Sequence, residues 1–240
     1  MRALLIALQF LTILPVRLQG EFSAQDMGRS LLFYPLVGLL IGIVLSLLGW
    51  SLTSQLPMVS AILVLAVWVI LTGALHLDGL ADSADAWLGG IGDKAKTLSI
   101  MKDPAAGPIA VVMIVLVLLI KFVMLTVLLS QQNWWALIWS VILARTALPL
   151  LFLTTDYVRP HGLGSILKQQ QSALHTRRLM LIIGVLALLS IGLFTLLFGL
   201  LVFLLLRYLM ERRLNGFTGD TAGAMVELLE AALLIFFVLF

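Results

Sequence analysis

Cysteine is missing from all 240 residues of the chain. Its absence excludes a disulfide framework, a thiolate metal site and a cysteine nucleophile. Charge is nearly as scarce: Asp, Glu, Lys and Arg make up 11% of the residues, against about 25% in an average soluble domain. Hydrophobic residues reach 62% and the mean hydropathy is +1.14. So little polar surface cannot cover a water-soluble globule of this size, and it excludes a disordered chain. The net charge of +3, from 15 Lys and Arg against 12 Asp and Glu, reads as a membrane topology signal rather than a nucleic-acid footprint. What remains is an all-α, polytopic helix bundle in a lipid bilayer.

A crossing helix needs about 20 mostly apolar residues. Residues 31–52, 59–75, 109–129, 134–154 and 222–240 qualify, whereas the run over 179–210 is too long for one simple crossing. Residues 3–15 form a shorter run suited to an interfacial or re-entrant position. It is not read as a signal peptide, because Gln9 interrupts it and Pro15-Val16-Arg17 lacks a small-residue cleavage site.

The connecting loops alternate in charge. Residues 53–58 and 130–133 carry none, while 89–108 hold Lys94, Lys96 and Lys102, 156–178 hold Arg159, Lys168, Arg177 and Arg178, and 207–219 hold Arg207, Arg212 and Arg213. The positive-inside rule assigns the three basic loops to the cytoplasm. Both ends of the long run are then cytoplasmic, which predicts a hairpin turning near residues 190–192, with each arm shorter than a full span. The count becomes about seven membrane helices in a single domain over residues 1–240, with the C-terminus outside. Gly38 and Gly42 form a GxxxG, read as internal packing ahead of dimerisation. A homo-oligomer is left open.

Ionisable residues in so apolar a chain need a reason. The main constellation is His76-Leu77-Asp78-Gly79-Leu80-Ala81-Asp82-Ser83-Ala84-Asp85. Its aspartates stand at i, i+4 and i+7, on one helix face within about 60°. Three carboxylates on one stripe repel. With no Cys and no clustered His, an oxygen-seeking ion such as Mg²⁺ suits them. A solvated helix end is the plainer alternative. His76 falls opposite the stripe and reads as orienting or packing.

The second constellation runs from Asn215-Gly216-Phe217-Thr218-Gly219-Asp220 to Glu227 and Glu230. Asp220 alone would serve as an N-cap. Its common side of the bundle with Asp78, Asp82 and Asp85, and that of Glu227, predict one shared metal site. Lys121 and Arg145 are intramembrane cations that either pair with Glu227 or Glu230 or bind phosphate oxygens. Lys102 and Arg159, in loops, are further phosphate ligands. Carboxylate-bound Mg²⁺ with Arg and Lys is the equipment of phosphoryl transfer.

The chain resembles the cobalamin synthase family, the adenosylcobinamide-GDP ribazoletransferases. The resemblance rests on residues 76–85 and on Thr218-Gly219-Asp220-Thr221-Ala222-Gly223-Ala224. It extends to Phe10-Leu11-Thr12 with Pro15-Val16, Pro35-Leu36-Val37-Gly38, Met101-Lys102-Asp103, and Arg159 with Gly162-Leu163-Gly164. Ala86 stands where the family often has glycine, and Pro104-Ala105-Ala106 also departs from its pattern. The resemblance implies Mg²⁺ dependence, a site on the cytoplasmic face of the bacterial inner membrane, and small-molecule substrates. Adenosylcobinamide-GDP would be joined to α-ribazole or its 5′-phosphate, giving adenosylcobalamin or its 5′-phosphate and GMP. On this reading Asp78, Asp82, Asp85 and Asp220 are the metal ligands, Asp85 doubles as general base, and Lys102, Arg145 and Arg159 clamp phosphate. The rivals are a CDP-alcohol phosphotransferase acting on lipid, alike in chemistry only, and a cation- or proton-coupled transporter. The latter should hold its acids near the midplane, not at one end.

Overall fold

In hydrocarbon every backbone amide needs a partner within the chain, so apolar runs become helices. The computed structural model describes residues 2–16, 23–160 and 162–240. Arg17, named above, lies outside them, as does His161. Among the described residues, helices account for all the regular structure apart from one isolated parallel bridge, Tyr157 to Phe217.

Helix α1 (Arg2–Leu11) is too short to cross, as its sequence suggests, and packs against α2 (Ala24–Ser30) and α3 (Tyr34–Ser51). A 3₁₀ turn, Leu31–Phe33, joins α2 to α3 in one continuous rod. The GxxxG of α3 is an internal seam. A Cβ on Gly38 would lie 2.9 Å from the Val141 carbonyl oxygen, and one on Gly42 2.9 Å from the Ile138 Cα. Both neighbours belong to α8 (Trp134–Thr154), which forms the centre of the bundle.

The second apolar run does not continue as a single helix. Helix α4 (Pro57–Leu71) stops at Thr72, and α5 (Leu75–Gly89) leaves at 86° to it. Gly73 and Ala74 take positive φ at the corner, 61° and 54°. The Ile13 amide donates to the Leu71 carbonyl at 2.9 Å, so the end of α1 supplies a partner that the broken helix lacks. The aspartates therefore ride on a helix of their own. After the short α6 (Lys94–Ile100) comes α7 (Pro108–Ser130), beside both α4 and α5.

Past the short α9 (Leu163–Gln170), the long run is α10 (Ala173–Leu214), which breaks at Gly192, φ 81° and ψ 169°. Both of its ends meet the C-terminal end of α8. Gln171 bridges the Pro149 carbonyl and the Thr176 hydroxyl, while Arg207 donates to the Thr154 carbonyl and the Thr155 hydroxyl. A straight helix would hold Thr176 and Arg207 about 46 Å apart at 1.5 Å per residue, so α10 is a hairpin, as the charged flanks predict. The arms are longer than expected. They run over residues 173–191 and 193–214, because the helix continues through His175-Thr176-Arg177-Arg178 from a Ser172 cap.

Helix α11 (Gly219–Leu239) closes the bundle between α5, α7 and α8. Among the described residues five helices are long and apolar enough to cross a membrane, six when the bent α4–α5 pair is counted as one span. Counting α10 as two arms gives the seven that the sequence suggests.

Candidate active site

Helix α5 runs antiparallel to α11: His76 backs onto Gly223 and Gly79 onto Asp220. The fit is close at Gly79, where a Cβ would stand 2.6 Å from the Asp220 carbonyl oxygen. Any larger residue would part the helices, so this glycine brings the two acidic constellations together across the intervening chain. Asp82 lies within electrostatic reach of Asp220, Asp78, Arg159 and Asp85. Asp78 is exposed and Asp82 half-buried, so the stripe opens onto accessible space, while His76 is buried on the packed face.

Asp220 is not a helix cap. Thr218 caps α11 in a reciprocal pair with Thr221, the Thr221 amide donating to Thr218 Oγ1 at 3.2 Å and the Thr218 amide to Thr221 Oγ1 at 2.9 Å. That frees the Asp220 carboxylate for Arg159, whose Nη2 donates to Oδ2 at 2.7 Å. Arg159 is delivered by the backbone. The Val158 amide donates to the Phe217 carbonyl and the Phe217 amide to the Asp156 carbonyl, each at 2.9 Å. Gly216, with φ 145°, permits the approach. Tyr157, Phe152 and Phe217 pack edge and face beneath this bridge. Burial pushes the Tyr157 phenol above its ordinary pKa, with the Arg159 guanidinium opposing the shift.

Asp85 has a different task from its neighbours. Its oxygens accept from the Gly107 amide at 2.5 Å and the Ala110 amide at 2.9 Å, so it caps α7 and ties α5 to it. Both oxygens are engaged, which suits a positioning residue more than the general base expected from sequence. Lys102 is exposed on a loop anchored by buried Met101, whose sulfur accepts from the Thr218 hydroxyl. That anchor sets the loop beside the start of α11.

Arg145 does not join the aspartates, contrary to its expected role as a phosphate clamp. It is fully buried and ion-paired with Glu230, which also accepts from Lys121. Glu227 takes the same lysine and so leaves the shared metal site expected for it. Trp68 lies 4.6 Å from the Lys121 nitrogen. Glu230 is ten residues beyond Asp220, about 15 Å deeper along α11. Two cations and two anions thus compensate one another inside the bundle, where an unpaired charge would be costly.

Among the described residues, no three acidic or histidine side chains are gathered into a ready-made cage for an ion. The close convergence of four carboxylates expected from sequence is therefore not present. The donor set still suits Mg²⁺. Asp78, Asp82, Asp85 and Asp220 offer only carboxylate oxygens, with Arg159 ion-paired to one of them. Mg²⁺ takes one or two carboxylates and completes its shell with water and substrate phosphates.

The family model described as cobalamin-5-phosphate synthase matches residues 3–238. A relative from Pseudomonas fluorescens (strain Pf0-1), named adenosylcobinamide-GDP ribazoletransferase, is 53% identical over the whole of both chains. Relatives of the same name from Stutzerimonas stutzeri and Pseudomonas aeruginosa PAO1 are 54% and 52% identical, each covering 98% of this chain and 97% of the relative. No solved structure matches the chain.

Proposed function

The chain belongs to the cobalamin-5-phosphate synthase family, and from that premise we propose that it is an adenosylcobinamide-GDP ribazoletransferase. It joins adenosylcobinamide-GDP to α-ribazole, or to α-ribazole 5′-phosphate, and releases GMP. The product is adenosylcobalamin or its 5′-phosphate, so the reaction completes the nucleotide loop. The observation that carries the site assignment is the backbone contact of Gly79 with Asp220, which sets the α5 aspartates beside the Asp220–Arg159 pair.

A ribose hydroxyl of α-ribazole attacks the phosphorus next to cobinamide. A new O–P bond forms, the P–O bond to GMP breaks, and GMP leaves with the bridging oxygen. Asp82 takes the hydroxyl proton: it stands among the other carboxylates, and its oxygens accept no hydrogen bond among the described residues, unlike those of Asp85. Asp78 and Asp220 would hold Mg²⁺, which would supply compensation for charge on the pyrophosphate. Arg159 and the exposed Lys102 bind phosphate oxygens, the guanidinium by its planar fork. Asp85 keeps α5 in register with α7.

This reading takes residues 1–240 as one membrane domain in the bacterial inner membrane. The aspartates face the cytoplasm, because they share their end of the bundle with the basic loops.

The experiment is turnover by the purified protein in lipid nanodiscs with adenosylcobinamide-GDP and α-ribazole, following GMP. Chelation should abolish turnover and Mg²⁺ restore it. Asp78→Asn and Asp82→Asn should each remove it while thermal unfolding is unchanged. Undiminished GMP release by both variants in the presence of a chelator would eliminate the assigned site.

A further inference from the structure

The face of α5 opposite the aspartates walls an apolar cavity of about 250 Å³. Leu80 and Ala84 of α5, Met113 of α7, Leu206 of the second α10 arm and Leu228 of α11 line it. Ser83 also lines it, 7% exposed and with its hydroxyl unpartnered. Trp87 and Leu209 border this cavity and also a second one, of about 530 Å³, that holds Lys94, Arg212 and Arg213. The two cavities adjoin at these shared residues, the apolar one behind α5 and the cationic one forming a mouth beside it.

The mouth is set up for an anion. Asp93 is its one carboxylate, and it is committed to the Lys96 amide at 3.0 Å. Arg213 is fixed by the Thr97 hydroxyl and the Trp87 carbonyl, both at 3.0 Å, with its guanidinium 6.0 Å from the Trp87 ring. Lys94 and Arg212 are exposed and form no ion pair among the described residues. The mouth lies at the end of the bundle that carries the basic loops, where anionic headgroups would meet it. Leu88, 57% exposed, stands on the rim of the apolar part, within reach of lipid chains.

We propose that the adjoining cavities bind an anionic phospholipid. One acyl chain fills the space behind α5, the Ser83 hydroxyl donates to an ester carbonyl, and the headgroup phosphate sits between Lys94 and Arg212. A lipid so placed braces the aspartate helix from its far side without touching the reacting groups.

The test uses the full chain purified in detergent. Native mass spectrometry and thermal unfolding are recorded with dioleoyl phosphatidylglycerol, dioleoyl phosphatidylcholine or free glycerol phosphate. Wild type should retain the phosphatidylglycerol and gain thermal stability from it, and from neither other probe. Lys94→Gln with Arg212→Gln, both at exposed positions, should weaken retention about thirtyfold, equivalent to about 1 kcal/mol for each of two cations. Ala84→Leu should exclude the lipid while leaving the cations in place. Equal retention of both lipids by wild type, unchanged retention by the double variant, or equal stabilisation by glycerol phosphate would each overturn the proposal.

Discussion

Gly79→Ala is the smallest change that tests whether the two acidic segments make one site. The added methyl would meet the Asp220 carbonyl oxygen at 2.6 Å, its Cα at 3.1 Å and its carbonyl carbon at 3.2 Å. All three are backbone atoms, which cannot rotate aside. Ordinary contact begins at 3.4 Å, so the helices must separate by about 0.8 Å. Functional constellations tolerate about 0.5 Å, and a displacement near 1 Å can cost about a hundredfold in rate. Overpacking costs about 1–3 kcal/mol, of which the better helix propensity of alanine returns up to about 1 kcal/mol. The variant should therefore unfold only slightly earlier while GMP release falls about a hundredfold. Gly184→Ala is the control, since nothing lies within 4 Å of its added methyl, and it should leave turnover unchanged. Wild-type turnover by Gly79→Ala would refute the assignment of Asp78, Asp82 and Asp220 to one site.

Arg159→Ala should lower kcat about 10²–10³-fold, as the loss of one positioned donor does, with Arg159→Lys intermediate; steady-state kinetics that move KM alone would assign it to binding only. Asp85→Asn keeps an acceptor for one α7 amide and should retain measurable turnover, whereas Asp85→Ala should cost about 1 kcal/mol of stability as a lost cap. A fully folded, inactive Asp85→Asn would return the base role to Asp85. Lys121→Met strands Glu227 inside the bundle, Glu230 keeping Arg145, and should cost about 3–5 kcal/mol in thermal or denaturant unfolding, with part of the loss recovered by adding Glu227→Gln.

The spans and the α10 hairpin were legible because hydropathy and flanking charge respond to the same solvent boundary that shapes the bundle. The break at residues 72–74 was not, since residues 59–75 carry no charge and are mostly apolar, and Thr72-Gly73 is a weak signal against that background. The pairing of Asp220 with the α5 stripe could be anticipated from shared sidedness and from resemblance. Depth could not. Arg145 and Glu227 carry the right chemistry for phosphate and metal, and only the packed helices reveal that Glu230 neutralises the one and Lys121 the other well below Asp220. The bridge that delivers Arg159 is made of backbone amides and carbonyls, which leave no side-chain signature beyond the turn residues Asn215-Gly216. The amide partners of Asp85 are silent in the sequence for the same reason.

At the end of the bundle away from the aspartates, the chain reverses through residues 52–56, residues 131–133 and Gly192. None of these reversals contains a charged residue. For biogenesis this means that no reversal carries a charge through hydrocarbon, a passage resisted by about 2.5–3.5 kcal/mol for each Lys, Arg or Asp at the bilayer centre, while Lys121 and Arg145 enter it within the α7–α8 pair. Each pair can enter as a closed hairpin from the side where it is made. On the proposed cytoplasmic orientation of the aspartates, the ionic groups of the site never leave that side, and its chemistry assembles without a translocated domain.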